Sequence, residues 1–192
     1  MSDDDDAKGK ISLITGPMFA GKSTELCARR SRSNSIKAII IAPILSKDHS
    51  AGAICPREQT RQHQAVFVDT LTIDYAQCLI TEAYGHVFID EAQFFNNADE
   101  LTTFCRTLVD NGIHVTIAAL NLDCKKQPWP AIALLESSMS PKTNVLYARC
   151  SFPCKQPAIY TAKVLSSSQV IDTVIDVLAE YKPLCEDCYL KI

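Results

Sequence analysis

The chain has no apolar run approaching the length of a membrane span, so no transmembrane segment is expected. It has no excess of positive charge. Nineteen Lys and Arg stand against 22 Asp and Glu, a formal net charge of −3, which argues against a surface that coats nucleic acid. Its opening residues are neither basic nor apolar, so no signal peptide is expected. Asp3-Asp4-Asp5-Asp6 is the opposite of a signal peptide's opening, and residues 1–10 read as a solvated, disordered acidic tail. There are no internal repeats and no low-complexity segment beyond that tail. The expectation is therefore a cytoplasmic protein with neither nucleic acid nor membrane as partner.

Cysteine, by contrast, is plentiful: nine in 192 residues. The number is odd, and Cys27, Cys55, Cys78, Cys105 and Cys124 are scattered. Without a secretion signal, reduced thiols or metal ligation are favoured over disulfides. Cys27, Cys78 and Cys105 fall in apolar helical patterns and read as small core residues.

The run Gly16-Pro17-Met18-Phe19-Ala20-Gly21-Lys22-Ser23-Thr24 fits G-x-x-x-x-G-K-[ST], a phosphate-binding loop. Ile11 to Thr15 before it reads as a buried strand and Glu25 to Arg32 after it as a helix, the context that motif needs. Glycines let backbone N–H groups curl around phosphate, and the helix N-terminus adds partial positive charge. Lys22 would bridge the outer phosphates and Ser23 would meet Mg²⁺.

Four more short, β-branched segments follow: Ala38–Ile41, Val66–Val68, Val87–Ile89 and Val115–Leu120. Between them, Asp74 to Tyr84 puts Ala76, Leu79, Ile80 and Ala83 on one helical face, and Asp99 to Asn111 does so with Leu101, Phe104, Cys105 and Leu108. Asn111-Gly112 reads as a helix C-cap. Strand–helix alternation implies an α/β fold, a P-loop NTPase-like parallel sheet with helices on both faces. Ser46 to Thr60 reads as a mobile loop. After Asn121, prolines punctuate short segments. The expected organisation is the tail (1–10), a P-loop α/β domain (11–144) and a small C-terminal metal-stapled subdomain (145–192).

Val87-Phe88-Ile89-Asp90-Glu91 is an apolar strand ending in acid, the Walker B pattern. Asp90 would reach Mg²⁺, and Glu91 would point toward the γ-phosphate, where a carboxylate can take a proton from an attacking oxygen. Taken alone, the pair could simply cap a strand. Cys150-x-x-x-Cys154 and Cys185-x-x-Cys188 would together give tetrahedral Zn²⁺ with no open position, a structural site, with buried free thiols the alternative. Phe94, Phe95, Trp129 and Tyr160 are flat apolar partners for a base, although core packing is the commoner fate of such residues.

The phosphate loop, extended through Glu25-Leu26, resembles that of the type II thymidine kinases, the group of cytosolic cellular and poxviral enzymes. Ile89-Asp90-Glu91-Ala92-Gln93-Phe94-Phe95 is similar to that family's acidic motif, and Ala118-Ala119-Leu120 resembles its next strand end. The two cysteine pairs match its zinc site in position. The resemblance implies ATP-dependent phosphorylation of the thymidine 5′-hydroxyl to dTMP, with Glu91 as base. It implies ATP and Mg²⁺ held by Gly16 to Thr24, Asp90 and Gln93, and zinc held by the four cysteines. Met18, Phe94, Leu120, Trp129, Thr161 and Tyr181 would line the nucleoside side, under a C-terminal lasso. A homotetramer inhibited by dTTP is the family's usual form. A broader deoxynucleoside kinase, a relative that binds dTTP or dTMP with little transfer, and a P-loop ATPase remain alternatives. The chain departs from the family at Asp48-His49-Ser50, where Asp-x-Arg is usual, with Arg57 and Arg61 as candidate substitutes. It departs again at Val174-Ile175-Asp176-Val177 in the lasso, at Cys124 in place of an aromatic, and in the longer first cysteine pair.

Overall fold

Short β-branched runs with no polar face can satisfy their backbones and bury both sides only inside a covered parallel sheet. The computed structural model, which describes residues 8–35, 37–44, 53–54, 63–95, 97–164 and 179–192, shows that arrangement. The strands are β1 (Ile11–Gly16), β2 (Ala38–Pro43), the short antiparallel pair β3 (Ala53–Ile54) and β4 (His63–Gln64), β5 (Val66–Val68), β6 (His86–Ile89), β7 (His114–Leu120) and β8 (Lys142–Val145). Six of them form one sheet in the order β5-β2-β6-β7-β1-β8, and every neighbouring pair is parallel. Each of the five strand segments expected from the sequence lies within one of them. The sixth, β8, was not expected: its four residues are all exposed and only Val145 is strongly apolar, so it carries no hydrophobic signature.

Side-chain alternation along these strands divides the core in two. Leu13, Ile41, Val87, Ile89, Val115, Ile117 and Ala119 face one side, and Ile14, Ile40, Ala42, Phe88 and Ala118 face the other. The first face is covered by α2 (Ile73–Thr81), α3 (Ala98–Asp110) and α4 (Pro130–Met139), the second by Leu26 and Cys27 of α1 (Lys22–Arg32). Helix α3 presents Leu101, Phe104, Cys105 and Leu108 inward, all fully buried. Its start is capped by the Asn97 side chain, which accepts from Asp99 N–H and Glu100 N–H. Its end passes through Asn111 into Gly112 at φ 78°, as the Asn-Gly pair predicted. Helix α2 is capped by Thr72, which accepts from Tyr75 N–H.

Two expectations are corrected. Cys27 and Cys105 are buried but Cys78 is exposed. Helix α2 turns Ala76 and Leu79 inward, and position 78 falls on the opposite side of a 3.6-residue turn. The proline-punctuated stretch after Asn121 also contains a full helix, α4, because Pro130 occupies its first turn, where a missing N–H costs nothing.

Beyond β8 the chain forms a smaller unit. β9 (Ala148–Arg149) pairs with β10 (Pro157–Ala158), β11 (Tyr160–Val164) pairs antiparallel with β12 (Glu180–Leu184), and the four-residue helix α5 (Glu186–Tyr189) follows. Ala148, Cys150, Ala158, Ala162, Leu184, Cys185 and Cys188 form its small core. Ser151 N–H donates to the Pro183 carbonyl at 2.9 Å, stitching the two ribbons together.

Candidate active site

Strand order sets the geometry of the site. β7 lies between β1 and β6, in a register that pairs Gly16 with Leu120 and Ile89 with Ile117. The phosphate loop after β1, the acids after β6 and the polar turn after β7 therefore open at one edge of the sheet. The strand ends that carry them, β1 and β6, are two strand spacings apart, about 10 Å, a gap that the loop's side chains span.

Gly16 stands at φ 147°, and a Cβ there would lie 2.2 Å from the Leu146 carbonyl oxygen. That collision makes glycine obligatory. Gly21 is left-handed (φ 81°) and caps α1, whose first residue is Lys22. Lys22 is buried, and its ammonium donates to the Pro17 carbonyl at 2.8 Å. Burial lowers its pKa, against the Glu91 and Asp90 carboxylates, which hold the charge on. Phe19, at φ 64°, is exposed.

Asp90 is buried to 2% exposure. Burial first, and then the Glu91 carboxylate, push its carboxyl up to about 7, opposed by the Ser23 hydroxyl, the Glu91 N–H and the Lys22 ammonium. Its Oδ2 is buried with no hydrogen-bond partner among the described residues. A buried acceptor of this kind, beside a hydroxyl at the base of a phosphate loop, fits a divalent cation. Glu91 follows in the left-handed region (φ 51°, ψ 38°), which swings the chain into a 3₁₀ turn over Ala92–Phe94. A non-glycine residue held there signals a constrained position.

Gln93 supplies the constraint. It is buried, its Oε1 accepts from Leu120 N–H at 3.0 Å, and its Nε2 donates to Glu91 Oε2. The backbone donor settles the amide orientation and hence the donor aimed at Glu91. Gln93 thus ties the end of β6 to the end of β7, a role its place in the motif did not reveal.

On the other side, Phe94 meets Trp129 edge to face at 5.8 Å, and Trp129 is the N-cap residue of α4. The indole Nε1 is buried without a hydrogen-bond partner among the described residues. Thr161 Oγ1 accepts from Met18 N–H at 2.9 Å, so the β11–β12 ribbon is bonded directly to the phosphate loop. Tyr181 opposes Lys163, and Thr161 opposes Pro183, which places Thr161 and Tyr181 on the same face of that ribbon. Asn121, which the sequence reading did not single out, receives its place from two bonds: its N–H donates to the Gly16 carbonyl at 3.3 Å and its Nδ2 to the Ile159 carbonyl at 3.0 Å. A polar residue directly after a fully buried strand was the available signal. Most of the Ser46–Thr60 loop, Arg57, Arg61 and Val174–Val177 lie outside the described residues.

Cys150, Cys154, Cys185 and Cys188 bring their sulfurs within 4.8 Å of one another. Cys154 and Cys185 are 3.6 Å apart, and Cys188 and Cys154 3.5 Å. A tetrahedron with 2.3 Å metal–sulfur bonds has edges of about 3.8 Å. The donor set fits a four-thiolate metal site, and Lys155, directly after the longer first pair, stands at φ 59°.

A phosphate loop and an acid pair, Asp90 buried and Glu91 half-buried, at one end of a parallel sheet define a P-loop nucleotide-binding protein. The sequence model of the thymidine kinases matches residues 9–189, and the chain belongs to that family. The thymidine kinase of Mesomycoplasma hyopneumoniae is 33% identical over 94% of this chain and 95% of its own. That of Choristoneura fumiferana entomopoxvirus is 33% identical over 93% and 95%, and that of Bacteroides thetaiotaomicron 30% over 96% and 88%. Among solved structures, a Bacteroides Pif1 helicase bound to single-stranded DNA aligns with a TM-score of 0.36 and 18% identity, over 67% of this chain and 33% of its own, too weak a likeness to bear on function.

Proposed function

We propose that this protein transfers the γ-phosphoryl group of ATP to the 5′-hydroxyl of thymidine, giving dTMP and ADP. One observation carries the reading: in a chain of the thymidine kinase family, the Gly16–Thr24 loop and the Asp90-Glu91 pair open on the same sheet edge. Glu91 accepts the hydroxyl proton as that oxygen attacks the γ-phosphorus in line, and the bridging oxygen leaves on ADP with the bonding electrons. Lys22 and the N–H groups of the loop offset charge on the moving phosphoryl group. Asp90 and Ser23 would hold Mg²⁺, which supplies charge neutralisation when bound. Gln93 holds Glu91 in place.

Thymidine occupies the side formed by Met18, Phe94, Leu120, Trp129, Thr161 and Tyr181. The four cysteines take Zn²⁺ as a structural ion, and residues 145–192 act as a unit apart from the kinase domain (11–144) and the acidic tail. The family resemblance supports a homotetramer and feedback inhibition by dTTP from the nucleoside side. A four-thiolate site is best kept by a reducing compartment, which supports the cytoplasm.

The test is ADP release from MgATP with and without thymidine, alongside Glu91→Gln. Thymidine-dependent release, lowered by about 10²–10⁴ in the variant, is expected. Release that ignores thymidine would instead identify an ATPase, and no release in any sample would favour a nucleotide-binding protein.

A further inference from the structure

The loop between β7 and α4 carries a lysine that the phosphoryl-transfer chemistry does not use. Asp123 shapes this loop by accepting from Lys125 N–H and Gln127 N–H, each at 2.8 Å, and Lys126 sits in the left-handed region at φ 61°. The Lys126 ammonium lies 4.2 Å from the ring centroids of both Tyr160 and Tyr189. The rings are 5.3 Å apart and tilted by 55°, so the ammonium fills the notch between them. The Tyr189 hydroxyl also donates to the Cys124 carbonyl at 2.6 Å.

Both rings belong to the cysteine subdomain. Tyr189 follows Cys188 on α5, and Tyr160 adjoins Thr161, which holds the phosphate loop. A four-residue helix has no stability of its own, so α5 depends on whatever gathers its cysteines. The same loop leads directly into Trp129.

We propose that Lys126 is a positioning residue: it clamps the 121–129 loop onto the cysteine subdomain, so that metal at the four cysteines sets how tightly thymidine is held. The inference rests on the thymidine kinase reading above. The half-buried Lys126 ammonium faces two rings at once, which places the contact above that of a fully exposed cation–π pair.

The test uses the zinc-loaded full chain with Lys126→Met, Lys126→Arg and Tyr189→Phe. Two quantities are read: steady-state constants for thymidine and ATP, and the rate of zinc release to a chromogenic chelator without nucleoside. Lys126→Met should raise the thymidine KM about five- to twentyfold, leave kcat and the ATP KM within about twofold, and speed zinc release several-fold. Lys126→Arg should restore both readouts, and Tyr189→Phe should move both by about threefold. Equal rises in both KM values, or an unchanged thymidine KM, would overturn the clamp. If wild type transfers nothing to thymidine, the functional reading falls by itself, and the chelator arm judges the clamp: unchanged zinc release in both Lys126→Met and Tyr189→Phe overturns it. Should Lys126→Met not purify folded, Lys126→Gln decides, because it removes the ammonium over both rings and keeps a polar side chain: an unchanged thymidine KM or unchanged zinc release in it overturns the clamp.

Discussion

On the phosphate side of the site, Gly16 to Thr24 and Ile89 to Glu91 are two contiguous runs, each issuing from a buried parallel strand. On the side proposed for the nucleoside, the pieces come from far apart and meet through single contacts. Met18 and Thr161 are 143 positions apart, Cys124 and Tyr189 65, and Asn121 and Ile159 38. The first arrangement is held by backbone geometry and core packing, and a small error there is expensive. The second is held by individual hydrogen bonds and ring contacts, each worth about 1 kcal/mol. A chain built this way can change its grip on the nucleoside without disturbing phosphoryl transfer. Cys124, whose carbonyl accepts from the Tyr189 hydroxyl, falls on that side.

If the phosphate side is as stiff as described, Gly16→Ala is the most damaging single change. Its Cβ has to share space with the Leu146 carbonyl while φ stays positive, and a loss of about 2–5 kcal/mol in urea unfolding is expected. Wild-type stability in that variant would show the loop to be soft. Gln93→Leu comes next, since Gln93 spans both regimes. It strands the Leu120 N–H at a cost of about 1–3 kcal/mol and frees Glu91. Kinetics should show kcat falling more than either KM changes; a pure KM effect would remove Gln93 from the phosphate side.

Asp90 adds a pH signature. Its carboxyl is raised from 3.8 to about 7 in the fold. A raised acid contributes stability fully below its unfolded pKa and loses it as pH climbs through the folded one. Without metal, wild type should therefore lose melting temperature relative to Asp90→Asn between pH 3.8 and about 7, by a few degrees. Parallel melting curves across that range would contradict the buried-acid account. The smallest effect is expected from Thr161→Val, which removes the acceptor for Met18 N–H. At about 1 kcal/mol it should raise the KM values roughly fivefold with kcat kept, and a large kcat loss would mean that the ribbon is as rigidly coupled as the loop.

Much of the sheet domain was legible because its signals are local. β-branched runs marked five of six sheet strands, and 3.6-residue spacing marked the inward faces of α2 and α3, except that Ala83 lies beyond the end of α2 in a left-handed turn and is exposed. Where local signals failed, the cause is physical. β8 pairs along β1 through its backbone while all four of its side chains are exposed, so no apolar pattern announces it. Cys78 looked like core only because a thiol on an apolar helix is ambiguous until the helix is rotated against its sheet.

The same division runs through the site. Gly16, Lys22, Ser23, Asp90 and Glu91 could be placed from the chain alone because strand, turn and helix chemistry dictate a phosphate loop and an acid-tipped strand within a few residues. The pairing of those two runs required β7 to come between β1 and β6, and that is a matter of strand order, in which every pairing joins distant residues. The bond from Thr161 to Met18, the Gln93 bridge and the notch around Lys126 have no local signature. Each is a contact between side chains or loops whose own sequences favour no particular partner, and the folded sheet decides which of them meet.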